Sequence, residues 1–310
     1  MPNTKKTDLL IVGTGPAGYT ASIYASRYKI SHIIVGNIIG GQVSKASVVE
    51  NYPGFVSIKG FELAQKFKAH AEHFLKESNS ELIFNTVTSI KKHPQGFETT
   101  LQDGSTITSK ALIFAIGVKK RKLGIPGEEK FRGRGVSECV TCDGFFYRNK
   151  VVGIVGGGDS AATGALYLAE LSPKVYMFVR RDKMRAEPHW QKQIQKRPNI
   201  EVLYNTELAE IYGNQKVEGV VTKDGRRIKL EGVFIEIGHY PDLSLLQDLN
   251  PETDEEGYIK VATDQSTSVP GLYAAGDITT ANNKFKQIVV AAAEGAVAAN
   301  SVFNYLQRGR

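Results

Sequence analysis

Leu9-Leu10-Ile11-Val12-Gly13-Thr14-Gly15-Pro16-Ala17-Gly18 is an apolar run that breaks into glycines and leads to an alanine-rich stretch through about Tyr28. The same grammar returns at Val151-Val152-Gly153-Ile154-Val155, which runs into Gly156-Gly157-Gly158-Asp159-Ser160-Ala161 and a helical pattern to about Leu171. Uninterrupted apolar runs suit strands buried on both faces of a parallel sheet. Each unit therefore reads as the opening of a Rossmann-type half, and the fold class is α/β with two nucleotide-binding domains. In the first loop Gly13 permits the tight turn and Gly15 lets backbone amides approach a pyrophosphate. Gly18 lets the helix pack close to the strand, with the anion at the helix N-terminus.

The two loops differ at the next strand. An acid that binds a ribose belongs near the end of Ile33-Ile34-Val35, but the chain continues Gly36-Asn37-Ile38-Ile39 without a carboxylate, so that contact must differ or be absent. In the second unit Val175-Tyr176-Met177-Phe178-Val179 is followed by Arg180-Arg181-Asp182-Lys183-Met184-Arg185. Guanidinium groups bind a 2′-phosphate that an acid would repel, which favours NADPH over NADH.

A second duplication orders the domains. Ala111-Leu112-Ile113-Phe114-Ala115-Ile116-Gly117 and Gly232-Val233-Phe234-Ile235-Glu236-Ile237-Gly238 are short apolar strands that end in glycine. After the second come Tyr258-Ile259-Lys260-Val261, Leu272-Tyr273-Ala274-Ala275-Gly276-Asp277 and a helix from about Gln287 to Leu306. The layout predicted is discontinuous. Residues 1–118 and 246–310 form one domain, residues 119–245 the other, and two hinges join them. Phe61 to Lys76 reads as an amphipathic helix.

The chain has two cysteines, in Cys139-Val140-Thr141-Cys142-Asp143. At this spacing they can close a redox-active disulfide. Zinc would need four ligands, and the nearest candidates, His70 and His73, lie far upstream. Inert buried thiols are the other bland reading. Asp143 could supply the proton a departing thiolate needs, or simply cap a turn. A nicotinamide delivers a hydride, which a disulfide does not readily accept, so a flavin relay is implied and the first loop is free to bind FAD. Residue chemistry thus predicts an FAD- and NADPH-dependent disulfide reductase.

Composition limits the rest. The 310 residues carry a net charge of +7, which favours anionic cofactors and acidic partners. The densest basic run, Lys119-Lys120-Arg121-Lys122, has no interleaved aromatics and reads as a solvated linker rather than a nucleic-acid patch. No apolar segment reads as a signal peptide or membrane span, and a cytoplasmic setting is the default.

Cys139-Val140-Thr141-Cys142-Asp143-Gly144-Phe145-Phe146-Tyr147 resembles the active-site signature of low-molecular-weight thioredoxin reductases. Gly40-Gly41-Gln42, Glu50 to Gly54, Arg180 to Ala186, and Ala274 to Asp277 with Lys286-Gln287 match in order, from about residue 8 to 306. The resemblance implies a homodimeric flavoenzyme that reduces thioredoxin, an acidic protein disulfide. It gives Cys142 the side facing the flavin, Cys139 the attack on substrate and Asp143 the acid. It assigns FAD to Gly13, Gly15, Pro16, Ala17, Gly18, Gly36, Gly40, Gly41, Gln42, Asn51, Gly117, Gly276, Asp277, Lys286, Gln287 and Ile288. NADPH goes to Gly156, Gly158, Asp159, Ser160, Arg180, Arg181 and Arg185, and no metal is implied. Departures from the pattern include Val179 for His, Thr163-Gly164 for an acidic position, Lys286 for Arg and Ala293-Glu294-Gly295 for a glycine-richer turn. Phe145, Phe146 and Arg134 are candidates for partner docking, against the alternative that both phenylalanines are core. Other readings are a reductase of another disulfide carrier, a small-molecule dithiol oxidase, a ferredoxin reductase of similar fold, and a non-catalytic nucleotide sensor.

Overall fold

Both glycine loops begin where a buried parallel strand ends. The computed structural model describes residues 4–46 and 49–308, apart from the side chain of Cys142. The first stretch contains strands β1 (Thr4–Val12), β2 (His32–Gly36), β3 (Glu81–Phe84), β4 (Val87–His93), β5 (Gly96–Leu101) and β6 (Thr106–Phe114). It also contains helices α1 (Pro16–Arg27) and α2 (Gly60–Leu75). A short strand, β7 (Lys119–Lys120), leads into β8 (Val136–Ser137), helix α3 (Val140–Asp143), β9 (Val152–Val155) and helix α4 (Asp159–Leu171). Then come β10 (Val175–Phe178), helix α5 (Pro188–Gln195), β11 (Ile200–Leu203), β12 (Leu208–Gly213), β13 (Val217–Thr222), β14 (Arg227–Lys229) and β15 (Gly232–Ile235). The chain returns through β16 (His239–Tyr240) and ends with β17 (Leu272–Ala274) and α6 (Ile288–Arg308).

The chain divides into two compact units, Met1–Lys119 with Tyr240–Arg310, and Lys120–His239. The first division falls beside the expected one, whereas the second lies before Tyr240 instead of before residue 246. The cause is packing: Leu246 and Leu249 belong to the core of the first unit, and Asp242 pairs with Lys119. In that unit β3, β2, β1 and β6 are parallel and β17 joins β6, while β5 and β4 extend the sheet antiparallel. In the other unit β11-β10-β9-β15-β8 is a parallel sheet, and β12-β13-β14 is a separate antiparallel one. The antiparallel parts had no signal strong enough to be read from the chain. Tyr258 to Val261 contributes only isolated bridges, through Ile259.

The expectation that no segment is apolar and long enough to span a bilayer needs correcting for α6, which meets both criteria. Its small-residue face, Ala291, Gly295, Ala298 and Ala299, is buried, and a Cβ on Gly295 would come within 2.1 Å of the Ala17 carbonyl oxygen. That contact is the close helix packing of a core element against α1.

One buried polar cluster stabilises the same unit. His32 on β2 is fully buried, with Nδ1 3.0 Å from Ile30 O and Nε2 2.8 Å from Ser22 Oγ. A carbonyl can only accept, so the ring proton sits on Nδ1 and Nε2 accepts from the Ser22 hydroxyl. Burial lowers the imidazole pKa to about 4, against a smaller upward pull from the Ile30 carbonyl. Because the folded pKa lies below the unfolded one, stability is full above about pH 6.5 and is lost as pH falls toward 4. Chemical denaturation followed across that range should show a loss on the order of 3 kcal/mol, and His32→Gln should flatten the slope.

Candidate active site

The two glycine loops are built alike. Gly13 has φ +122°, and a Cβ there would lie 2.2 Å from the carbonyl oxygen of Ala115, just past β6. Gly156 has φ +142°, and its Cβ would lie 2.1 Å from the carbonyl oxygen of Glu236, just past β15. Both turns therefore require glycine twice over, for the left-handed backbone and for the approach. Gly18 has a third constraint, since its Cβ would meet Gly13 O at 1.9 Å.

Gly15 and Gly158 are different. Each caps its helix with ordinary extended φ, and a Cβ on either would meet no protein atom within 4 Å. Nothing in the protein itself excludes a side chain at these two positions. An anion against the helix N-terminus would do so, and the open cradle fits a dinucleotide pyrophosphate at both loops.

Around the first loop the expected residues converge. Gly40 N donates to Thr14 O at 2.8 Å, and a Cβ on Gly41 would sit 3.5 Å from Gly15 Cα. Gly36 is held against Thr14, whose hydroxyl donates to Ile38 O at 2.7 Å. Gln42 Nε2 donates to Val118 O at 3.0 Å, beside Gly117, whose φ is +68°. Asn51 Nδ2 donates to Gln287 Oε1 at 3.0 Å, and Ile288 packs on the Val43 cluster. Gly276 faces Ala17, next to Pro16 at the head of α1. Asn37 donates to Thr86 Oγ1 at 2.9 Å, in keeping with the missing acid there. Lys286 Nζ donates to Asp277 O at 3.1 Å. Burial raises the Asp277 carboxyl, with Lys286 opposing and Glu294 reinforcing.

Around the second loop the basic turn folds back onto the glycines. Gly157 O accepts from Arg185 N at 2.6 Å and Ala186 N at 3.0 Å, and Asp159 Oδ1 accepts from Glu187 N at 2.7 Å. The chain thereby brings Arg185 onto Gly157, and Arg180, Arg181 and Arg185 are all exposed and, among the described residues, without an ion pair. Asp159 serves that fold rather than pointing freely at a ligand. Val179 is buried in the core.

The dithiol segment packs on the same helix. Cys139 is disulfide-bonded, its N–H donates to Ser137 Oγ at 3.0 Å, and its carbonyl accepts from Asp143 N at 3.1 Å. Val140 is buried against α4 at Gly164, where an added Cβ would come within 3.0 Å of Val140 Cγ2. Gly164, a departure in the sequence pattern, is thus the place where the CxxC turn meets the helix of the second loop. Phe145 and Phe146 are 62% and 70% exposed, so neither is core. The run Lys119 to Lys122 is not merely solvated: Lys119 pairs with Asp242, Lys120 with Glu236 and Lys122 with Glu129, and Arg121 Nε donates to His239 O.

One residue was missed. Glu294 on α6 is buried, and its carboxylate accepts from Gly276 N at 2.7 Å, Thr279 Oγ1 at 3.0 Å and Asn282 Nδ2 at 2.9 Å. A lone carboxylate among alanines in an apolar helix was the available signal, since burial demands partners. Glu294→Ala strands three donors and should cost about 3 kcal/mol, read as a lower unfolding midpoint.

The pyridine nucleotide-disulphide oxidoreductase family profile matches residues 7–295. A thioredoxin reductase of Treponema pallidum is 39% identical over 96% of this chain and 97% of its own length. That of Bacillus subtilis is 37% identical over 99% and 97%. The crystal structure of Lactococcus lactis thioredoxin reductase superposes with a TM-score of 0.91 at 35% identity, covering 97% of this chain and 99% of that one. On these matches this chain belongs to the pyridine nucleotide-disulphide oxidoreductase family, among its low-molecular-weight thioredoxin reductases.

Proposed function

We propose that this protein takes electrons from NADPH and delivers them, through FAD and the Cys139–Cys142 pair, to the disulfide of thioredoxin. The observation that carries the reading is the packing of Val140 on Gly164, which fastens the redox turn to the helix that opens the second phosphate loop. FAD fits along Gly13–Gly18, Gly36–Gln42 and Gly276–Ile288, where it supplies the two-electron relay between a nicotinamide hydride and a disulfide. NADPH fits at Gly156–Ser160, with Arg180, Arg181 and Arg185 free to pair with its 2′-phosphate.

An electron pair entering the Cys139–Cys142 bond splits it, and Asp143 protonates one of the two departing sulfurs. The Cys139 thiolate attacks a sulfur of the thioredoxin disulfide, expelling the other sulfur as a thiolate that takes a proton. Cys142 returns its proton to Asp143 and, as a thiolate, attacks Cys139 in the mixed disulfide; the second thioredoxin sulfur leaves as a thiolate that takes a proton from solvent, and the starting bond is restored. Phe145 and Phe146, with Arg134 beside a surface cavity of about 490 Å³ that Phe146 also lines, give the partner aromatic and cationic anchors. The excess of basic residues suits an acidic thioredoxin. We further assign the enzyme a cytoplasmic setting and a homodimeric state, the latter testable by sedimentation.

Purified protein should oxidise NADPH rapidly only when oxidised thioredoxin is present, and NADH poorly. Cys139→Ser should abolish thioredoxin reduction with FAD still bound, and normal turnover in that variant would refute the dithiol route. Replacing Arg180 and Arg181 together by Ala should raise KM for NADPH about 100-fold or more, with little change for NADH.

A further inference from the structure

The lysine at position 120 is bound to the backbone that carries the disulfide. Lys120 Nζ donates to the carbonyl oxygen of Glu138, the peptide that ends at the Cys139 nitrogen. The same ammonium reaches both oxygens of Glu236, at 3.0 and 3.2 Å. The pair is largely withdrawn from water, with the Glu236 side chain 9% exposed and that of Lys120 25%. The backbone of Glu236 donates to Val155 O and presents the carbonyl oxygen that Gly156 must approach without a Cβ. One ion pair therefore touches the residue before Cys139 and the floor of the second glycine loop.

We propose that Lys120 is a positioning residue for the disulfide reaction, holding the Glu138–Cys139 peptide and, balanced by Glu236, setting the local charge in which the Cys139 thiolate forms. A cation near a thiol favours the thiolate, and an anion disfavours it. Burial pushes the Glu236 carboxyl up, Lys120 pulls it back down, and Glu138 adds a smaller upward push. The remaining charges nearby are already engaged or constant. Glu138 pairs with Arg132 at 2.6 Å, Arg132 with Glu129 at 3.1 Å, and Glu129 with Lys122 at 2.6 Å. Asp143 follows the dithiol, Tyr167 lies against Gly144, and Tyr147 lies against Gly232. All of these groups are retained when Lys120 or Glu236 is replaced.

The two halves of the pair then act in opposite directions. Lys120→Met removes the cation bound to the Glu138–Cys139 peptide and leaves only the Glu236 carboxyl there, so the Cys139 thiol pKa rises. Glu236→Gln leaves Lys120 unbalanced, so the pKa falls. A role limited to holding the fold would shift both the same way or neither.

The inference rests on Cys139 being the attacking thiol, but its test needs neither NADPH nor thioredoxin. In FAD-loaded enzyme carrying Cys142→Ser, Cys139 is the only cysteine, and the pH dependence of iodoacetamide alkylation gives its pKa. We expect Lys120→Met to raise that value by about one unit and Glu236→Gln to lower it by a similar amount. The double substitution should return it close to the parent, and Lys120→Arg should leave it in place. Unchanged values, or shifts of one sign in both single variants, overturn the proposal. Flavin absorbance and the melting temperature establish that each variant is folded. If Lys120→Met fails to fold, the sign in Glu236→Gln decides alone, a fall supporting the proposal and any other result overturning it. Failure of the underlying reading would appear separately, as thioredoxin reduction that survives Cys139→Ser.

Discussion

Everything in both units hangs on one close approach between backbones. At Gly13 and again at Gly156, the turn that ends the first strand passes so near the carbonyl just beyond a neighbouring strand that no Cβ can intervene. This contact fixes where the chain leaves the sheet, and with it the direction in which α1 and α4 point their free N–H groups. The second glycine of each loop can then remain open toward a ligand, because the first and third have already determined the geometry. A single alanine at Gly13 or Gly156 would open the turn and misplace the helix start by more than a pyrophosphate contact tolerates.

Around these turns, the irregular backbone is organised by buried carboxylates rather than by apolar packing. Glu294 gathers the amide of Gly276 and the side chains of Thr279 and Asn282. Glu128, also buried, accepts from Leu123 N and Gly124 N where the second unit begins. Glu236 holds Lys120. Each of these groups would be costly if left alone, and each accepts from at least one donor. Loops that must carry ligands cannot be stiffened by filling them with hydrophobic side chains, and a carboxylate beneath the loop does the task while leaving its outer face open.

What could be read from the chain were features whose physics is local. The apolar runs, the glycine spacings, the cysteine pair and the arginines after Val179 all act within a few residues of where they stand. The end of α1 near Tyr28 and the end of α4 at Leu171 followed from the same patterns, whereas α1 begins at Pro16, inside the glycine loop. Features that depend on partners distant in sequence were not legible. Lys119 looks like any solvated lysine until Asp242 is brought beside it, and Gly164 looks like a weak helix position until Val140 is laid against it. The β12-β13-β14 sheet alternates too irregularly, with bulges near Leu208 and Tyr212, for a period of two to stand out. The later domain division was misplaced because nothing local announces that Leu246 and Leu249 face the core of the other segment.

The return of the chain to its first unit has a consequence for how the molecule is made. Leu272 pairs with Leu112 and Ala274 with Phe114, and α6 lies along α1, yet the whole of Lys120–His239 is synthesised between these partners. A nascent chain emerging from the ribosome must therefore keep one edge of β6 and one flank of α1 uncovered while the intervening unit appears and collapses on its own core. Contacts of such long sequence separation close late and slowly. The order of assembly is thus inverted relative to the order of translation, with the inserted unit able to finish first and the encircling unit waiting for its last forty residues or so, a window in which a holding chaperone has an apolar surface to grip.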